Sequence, residues 1–120
     1  MHELSIAQSV VEIVQQNLPP APHPGIRSVK MKVGEMAGVV TDSLEFCFGA
    51  IIAGTPLEGA RLEIERVPVV AHCRRCEVHF EVEHYAFICP SCENIEIEVI
   101  SGRELQVVEV ELLDEKVGAV

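Results

Sequence analysis

Between Glu3 and Leu18 apolar residues recur at steps of three and four. Leu4, Ala7, Val11, Val14 and Leu18 form a stripe, and Ile6, Val10 and Ile13 widen it. Glu3, Gln8, Glu12, Gln15 and Gln16 fall largely on the other side, so the segment reads as an amphipathic helix. Glu3 lies near the positive end of its dipole. Pro19, Pro20, Pro22 and Pro24 follow, then Gly25. Proline lacks the N–H that continues a helix, so the helix is expected to end at Leu18.

From Arg27 the period changes to two. Val29, Met31 and Val33 alternate with Lys30 and Lys32, a strand with one face buried. Residues 34–38 read as a loop. Asp42 with Glu45 three residues on resembles a capping box, with Asp in the usual Ser or Thr position. The pattern predicts a helix over 43–53 that ends at Gly54, ahead of Pro56. Leu44, Phe46, Cys47, Phe48, Ile51 and Ile52 make it too apolar for a solvated helix, and it is expected to lie largely buried against a sheet. Alternation returns over 60–67 and over 95–99, Ser101-Gly102 reads as a turn, and Leu105–Leu113 as a last strand. The doubled Val107-Val108 suggests a bulge, and the tail from Asp114 is expected to fray. The fold class read from these elements is α+β. Two helices cover one face of a small sheet, and a separate module is inserted between strands. The expected division is 1–70 with 94–120 as one domain, and 71–93 as the inserted one.

Composition narrows the function. The 120 residues are 48% apolar, enough for a core without disulfide staples. Asp and Glu number 19 against 9 Lys and Arg, a net charge of −10, which argues against nucleic-acid or anionic-membrane binding. Aromatics are 4% with no Trp, which disfavours base stacking. No apolar stretch is long enough to span a bilayer, and the start Met1-His2-Glu3 lacks the pattern of a signal peptide. The expected location is the cytoplasm, where paired cysteines are read first as metal ligands.

Four of the five cysteines form two C-x-x-C pairs, Cys73/Cys76 and Cys89/Cys92, separated by residues 77–88. Each pair makes a knuckle that aims two thiolates at one point, and two knuckles supply the tetrahedron that zinc prefers. A redox disulfide pair or a rubredoxin-like iron site are the competing readings. A four-thiolate site is coordinatively closed, so the zinc is structural, and the module is expected to unfold without it. Its own apolar residues are only Val78, Phe80, Val82, Tyr85, Phe87 and Ile88. Arg74 and Arg75 are placed to offset the charge of the thiolates. Cys47, between Phe46 and Phe48, reads as a small buried hydrophobe.

His2 opens a second chemistry. Initiator-Met removal generally needs a small second residue, so Met1 is expected to remain with a free amine. The Met1 amine, the His2 amide nitrogen and the His2 imidazole can form fused chelate rings around one metal. Nitrogen donors in a tetragonal plane suit Ni(II) or Cu(II). The fourth donor is open: the Glu3 amide, its carboxylate or another side chain. Affinity must fall as pH drops, because the donors must lose protons. The bland reading of His2 is a solvated residue or helix cap. His72, His79 and His84 read as exposed groups near the zinc module, able to tune it or replace a thiolate.

The opening Met1-His2-Glu3-Leu4-Ser5-Ile6-Ala7, the stretch Val33-Gly34-Glu35 before a buried helix, and the two C-x-x-C pairs in this order resemble the HypA/HybF family of nickel metallochaperones. The resemblance covers nearly the whole chain. It implies a nickel-binding α/β domain with a zinc domain inserted near its middle. It implies nickel as transferred cargo, held by His2 with the Met1 backbone amine and Glu3, and structural zinc on Cys73, Cys76, Cys89 and Cys92. The partners it implies are a HypB-type GTPase and the [NiFe]-hydrogenase large subunit, with urease accessory proteins in some organisms, and it leaves room for a homodimer. No catalytic residues are implied, and no catalytic signature stands out. A zinc-ribbon adaptor that carries no nickel, and a thiol redox enzyme, are the competing functions.

Overall fold

The computed structural model describes residues 2–20 and 24–113. Its elements run α1 (Glu3–Gln16), β1 (Ile26–Gly34), α2 (Thr41–Ile52), β2 (Arg61–Val67), β3 (Val70–Cys73), β4 (Val78–Glu81), β5 (Ile97–Ser101) and β6 (Leu105–Leu112). The class is α+β, with two three-stranded sheets ordered β2-β1-β6 and β4-β3-β5. This is the expected class, and the cysteine-bearing region carries a three-stranded sheet of its own. The strand read over 95–99 lies at 97–101 and pairs antiparallel with β3.

The chain divides into two compact units, residues 1–31, 39–65 and 106–120, and residues 32–38 and 66–105. The first unit holds both helices. Its buried core takes Ile6, Ala7, Val10 and Val14 from α1, Ile26, Val29 and Met31 from β1, and Leu44, Phe48 and Ile52 from α2, with Leu57 and Ala60. The seam of α1 is rotated from the expected stripe: Ile6 and Val10 are buried, whereas Leu4 is 48% exposed. The helix stops at Gln16, with Asn17 capping, so Leu18 contributes no helical position to that stripe.

Two expectations for α2 are corrected. It begins at Thr41 with Val40 as N-cap and no capping bond from within the turn, so the Asp42/Glu45 box does not form. One full turn is less buried than its composition suggests. Phe46 is 77% exposed and Cys47 is half-buried, because only every fourth residue, Leu44, Phe48 and Ile52, turns inward. The expected fraying from Asp114 lies outside the described residues.

In the second unit β3 pairs antiparallel with β4 on one side and β5 on the other, with a register irregularity at Val70/Ala71. Val69, Ala71 and Val82 are buried, and Met36, Phe80, Phe87, Ile97 and Val99 pack against them. Met36, Val69, Ile97 and Val99 all lie outside 71–93. Two apolar residues of that stretch, Tyr85 and Ile88, are exposed and contribute little. Gly34 and Gly102 let backbones meet. Gly34 donates its N–H to the Glu104 carbonyl, and Met36 donates to that of Gly102, both at 2.7 Å. A Cβ at Gly34 would sit on the Gly102 carbonyl. Gly102 itself has φ +115°, and a Cβ there would lie 2.8 Å from the Cα of Val69.

Candidate metal centre

Each C-x-x-C pair is closed by a backbone hydrogen bond across five residues. Glu77 donates its N–H to the Cys73 carbonyl at 2.7 Å, and Glu93 to that of Cys89 at 2.8 Å. The closing residues Glu77 and Glu93 both have left-handed φ, 58° and 61°. Cys89 also donates its N–H to the Asn94 carbonyl at 3.0 Å. These bonds hold the two knuckles as matching turns.

The result brings all four sequence-predicted thiols together. The sulfurs of Cys73, Cys76, Cys89 and Cys92 lie within 4.8 Å of one another, with Cys73 and Cys89 buried and the other two half-buried. The Cys73 and Cys92 sulfurs are 3.6 Å apart. A tetrahedral zinc with bonds of about 2.3 Å needs thiolates about 3.8 Å apart. The four therefore fit a tetrahedral metal cage.

The sulfurs are not equivalent. The backbone N–H of Cys76 donates to the Cys73 sulfur at 3.4 Å and, against the opposing effect of burial, draws that thiol down to about 6, helped by the Arg75 amide, Cys92 and Asn94. Cys76 is pushed up to about 12, first by its hydrogen bond with Cys92, then by burial and by Cys89. Sequence reasoning missed Asn94. Its Nδ2 donates to the Cys73 sulfur at 3.8 Å, and its Oδ1 accepts the Glu96 N–H at 3.2 Å. The local signal was an Asn two residues past a knuckle, the residue type that folds back on its own backbone. Arg74 turns to Glu98, at 4.0 Å on the surface, while the Cys73 sulfur takes its hydrogen bonds from the Cys76 amide and from Asn94.

The amino-terminal residues are placed differently. His2 is exposed and stands at the N-cap of α1 in extended conformation, its carbonyl accepting the Ile6 N–H at 3.2 Å. Its side chain makes no capping bond. The Glu3 carboxylate accepts the Val40 N–H at 3.0 Å, and this bond, ahead of that from its own amide, lowers the Glu3 pKa. Glu3 thus caps α2 from across the fold, a role no local pattern signalled. Met1 lies outside the described residues. His72 is half-buried, and His79 and His84 are exposed.

Two helices, two three-stranded sheets and a cluster of four thiols define a small α+β protein with a candidate metal centre. The family profile described as "Hydrogenase/urease nickel incorporation, metallochaperone, hypA" matches residues 1–112. The chain belongs to this family of nickel-incorporation metallochaperones for hydrogenase maturation. The hydrogenase maturation factor HypA of Geotalea uraniireducens is 46% identical over 112 residues, covering 93% of this chain and 99% of that protein. The HypA of Streptomyces avermitilis is 44% identical over 121 residues, covering 99% and 92%. The solution structure of the Ni metallochaperone HypA from Helicobacter pylori has the same fold, with a TM-score of 0.63 at 20% identity, covering 94% of this chain and 98% of that one. Among the described residues no helix is long and apolar enough to cross a membrane.

Proposed function

We propose that this chain carries Ni(II) on its amino terminus and delivers it to the large subunit of [NiFe]-hydrogenase, with a HypB-type GTPase as its working partner in the cytoplasm. The observation that carries the reading is His2, exposed and ahead of the first turn of α1 in a chain of this family. The first amides of a helix have no intrahelical acceptor, so the His2 amide can lose its proton to nickel without breaking the helix. The Met1 amine and the His2 amide and imidazole supply three nitrogens, a set suited to square Ni(II). Glu3 completes the plane only through an atom that the Val40 bond leaves free. Such an open terminal chelate can be attacked by an incoming ligand, which is what transfer requires.

Zinc is the metal assigned to Cys73, Cys76, Cys89 and Cys92. Four thiolates leave it no open position, so it holds the knuckles and does no chemistry. The exposed Tyr85, Ile88 and Ile95 beside the knuckles favour a second reading, a docking module for a protein partner that carries no nickel.

The two readings separate on His2→Ala. Nickel delivery requires that one Ni(II) per chain is lost in this variant, that zinc is retained, and that maturation of the hydrogenase fails. An amino-terminal extension should act alike, with intact mass confirming the terminus. An unchanged Ni(II) stoichiometry in both variants sinks the terminal chelate, and normal maturation with His2→Ala supports the adaptor.

A further inference from the structure

On the face of the second sheet opposite Ala71 and Cys73, three residues of metal-ligand type stand in one cross-strand row. His72 of β3 is the direct antiparallel partner of His79 in β4 and of Glu98 in β5. Directly opposed residues on neighbouring strands share a face, with Cβ atoms about 5 Å apart. His72 lies between the fully buried Ala71 and Cys73, so strand alternation turns it to the other side, away from the thiolates.

The two imidazoles are already close. Their ring centroids are 5.1 Å apart, with the planes at 79°. A metal about 2.1 Å from one nitrogen of each ring, at an angle between about 90° and 109°, sets centroids about 4.6–5.3 Å apart. The observed separation falls inside that range. Glu98 is exposed, and its carboxylate faces Arg74 at 4.0 Å, a surface pair too weak to hold it there.

We propose that His79, His72 and Glu98 form a third, solvent-facing site for a divalent transition ion, distinct from the thiolate cage and from the amino terminus. Two imidazoles and one carboxylate are borderline donors that suit Ni(II), Cu(II) and Zn(II), and three ligands leave positions open to solvent. The site is therefore exchangeable where the thiolate cage is closed. Arg74 opposes it twice, by its charge and by its hold on Glu98.

The test uses the full chain with its thiolate site loaded and carrying His2→Ala, which removes the terminal chelate. Ni(II) is added alone and followed by calorimetry and by ring-proton NMR. The expected result is uptake of Ni(II) with the ring signals of His72 and His79 broadening together, and that of His84 sharp. Adding His79→Ala or His72→Ala weakens uptake about tenfold or more, at least what loss of a supporting partner costs a metal site. Arg74→Ala strengthens it, and Glu98→Gln weakens it with both rings still affected. The ring signals of the otherwise unsubstituted sheet decide the matter even where a histidine variant fails to fold. No uptake by the His2→Ala chain, uptake indifferent to His79→Ala, or broadening at His84 in place of the pair overturns the site. Loss of all nickel with His2→Ala overturns this inference while supporting the terminal chelate, so the two fail separately.

Discussion

Glu77 and Glu93 follow the second cysteine of their pairs, and both hold the left-handed backbone that lets their amides return to the first cysteine's carbonyl. A Cβ in that conformation costs about 1 kcal/mol or more, which glycine avoids. Both side chains are exposed, and neither makes a hydrogen bond to the thiolates. Glu77→Gly and Glu93→Gly are therefore expected to stabilise the knuckles by up to about 1 kcal/mol, less what glycine adds to the entropy of the unfolded chain. Chemical denaturation of the metal-loaded protein reads this, and a clear loss of stability in both variants would show that the glutamates serve the turns in some other way. Asn94 and Glu3 belong to the same scale. Each binds a group that the chain brings from elsewhere, and such partners leave no periodic trace in a sequence.

At the scale of elements, periodicity showed most. The long helix, the strands at 26–34, 61–67 and 105–112, and the two knuckles follow from apolar spacing and C-x-x-C pairs. What stayed hidden has physical causes. β3 and β4 are four residues each, too short for alternation to declare itself beside cysteines and histidines. The start of α2 was misread because its cap comes from Glu3 and not from Asp42. The cysteine set was legible because a tetrahedral cage demands fixed local spacing. The core that supports it was not, because Met36 arrives from a distant segment. That segment rests on Gly34, where backbone meets backbone. Gly34→Ala is expected to destabilise the second unit by about 2 kcal/mol or more, since neither chain can yield as a side chain would. Thermal unfolding followed at the Met36 and Val69 methyl signals tests it, and an unchanged midpoint would mean that the two backbones can separate freely.

For the whole molecule, metal and protons are linked. In the metal-free protein the Cys73 thiol titrates near 6 and Cys76 near 12. The first is depressed, so the stability it adds is present above the ordinary thiol range and is lost as pH falls through about 6. The second is raised, so its contribution is present below that range and is lost only as pH climbs toward about 12. A bound metal needs every thiolate, so loading must release the Cys76 proton at neutral pH. Affinity for zinc should rise with pH, and its slope should steepen below about pH 6, where Cys73 also takes a proton. Competition with a coloured chelator between about pH 5 and 8 measures this. A flat profile would contradict the thiolate cage. Stripping the metal is expected to erase the native signals of Val69, Ala71 and Val82 and to spare those of Val10, Val29 and Phe48.

The two units are each built from separated segments, and this bears on synthesis. A ribosome releases Cys92 and then β5 before β6, which the first sheet needs as its third strand. The last cysteine thus leaves the exit tunnel while the larger core is still missing an edge. The vectorial order of translation frees the full ligand set of the cage before the last strand of the first sheet, so a nascent chain held on the ribosome through a tunnel-length linker fused after Leu105 should already capture zinc.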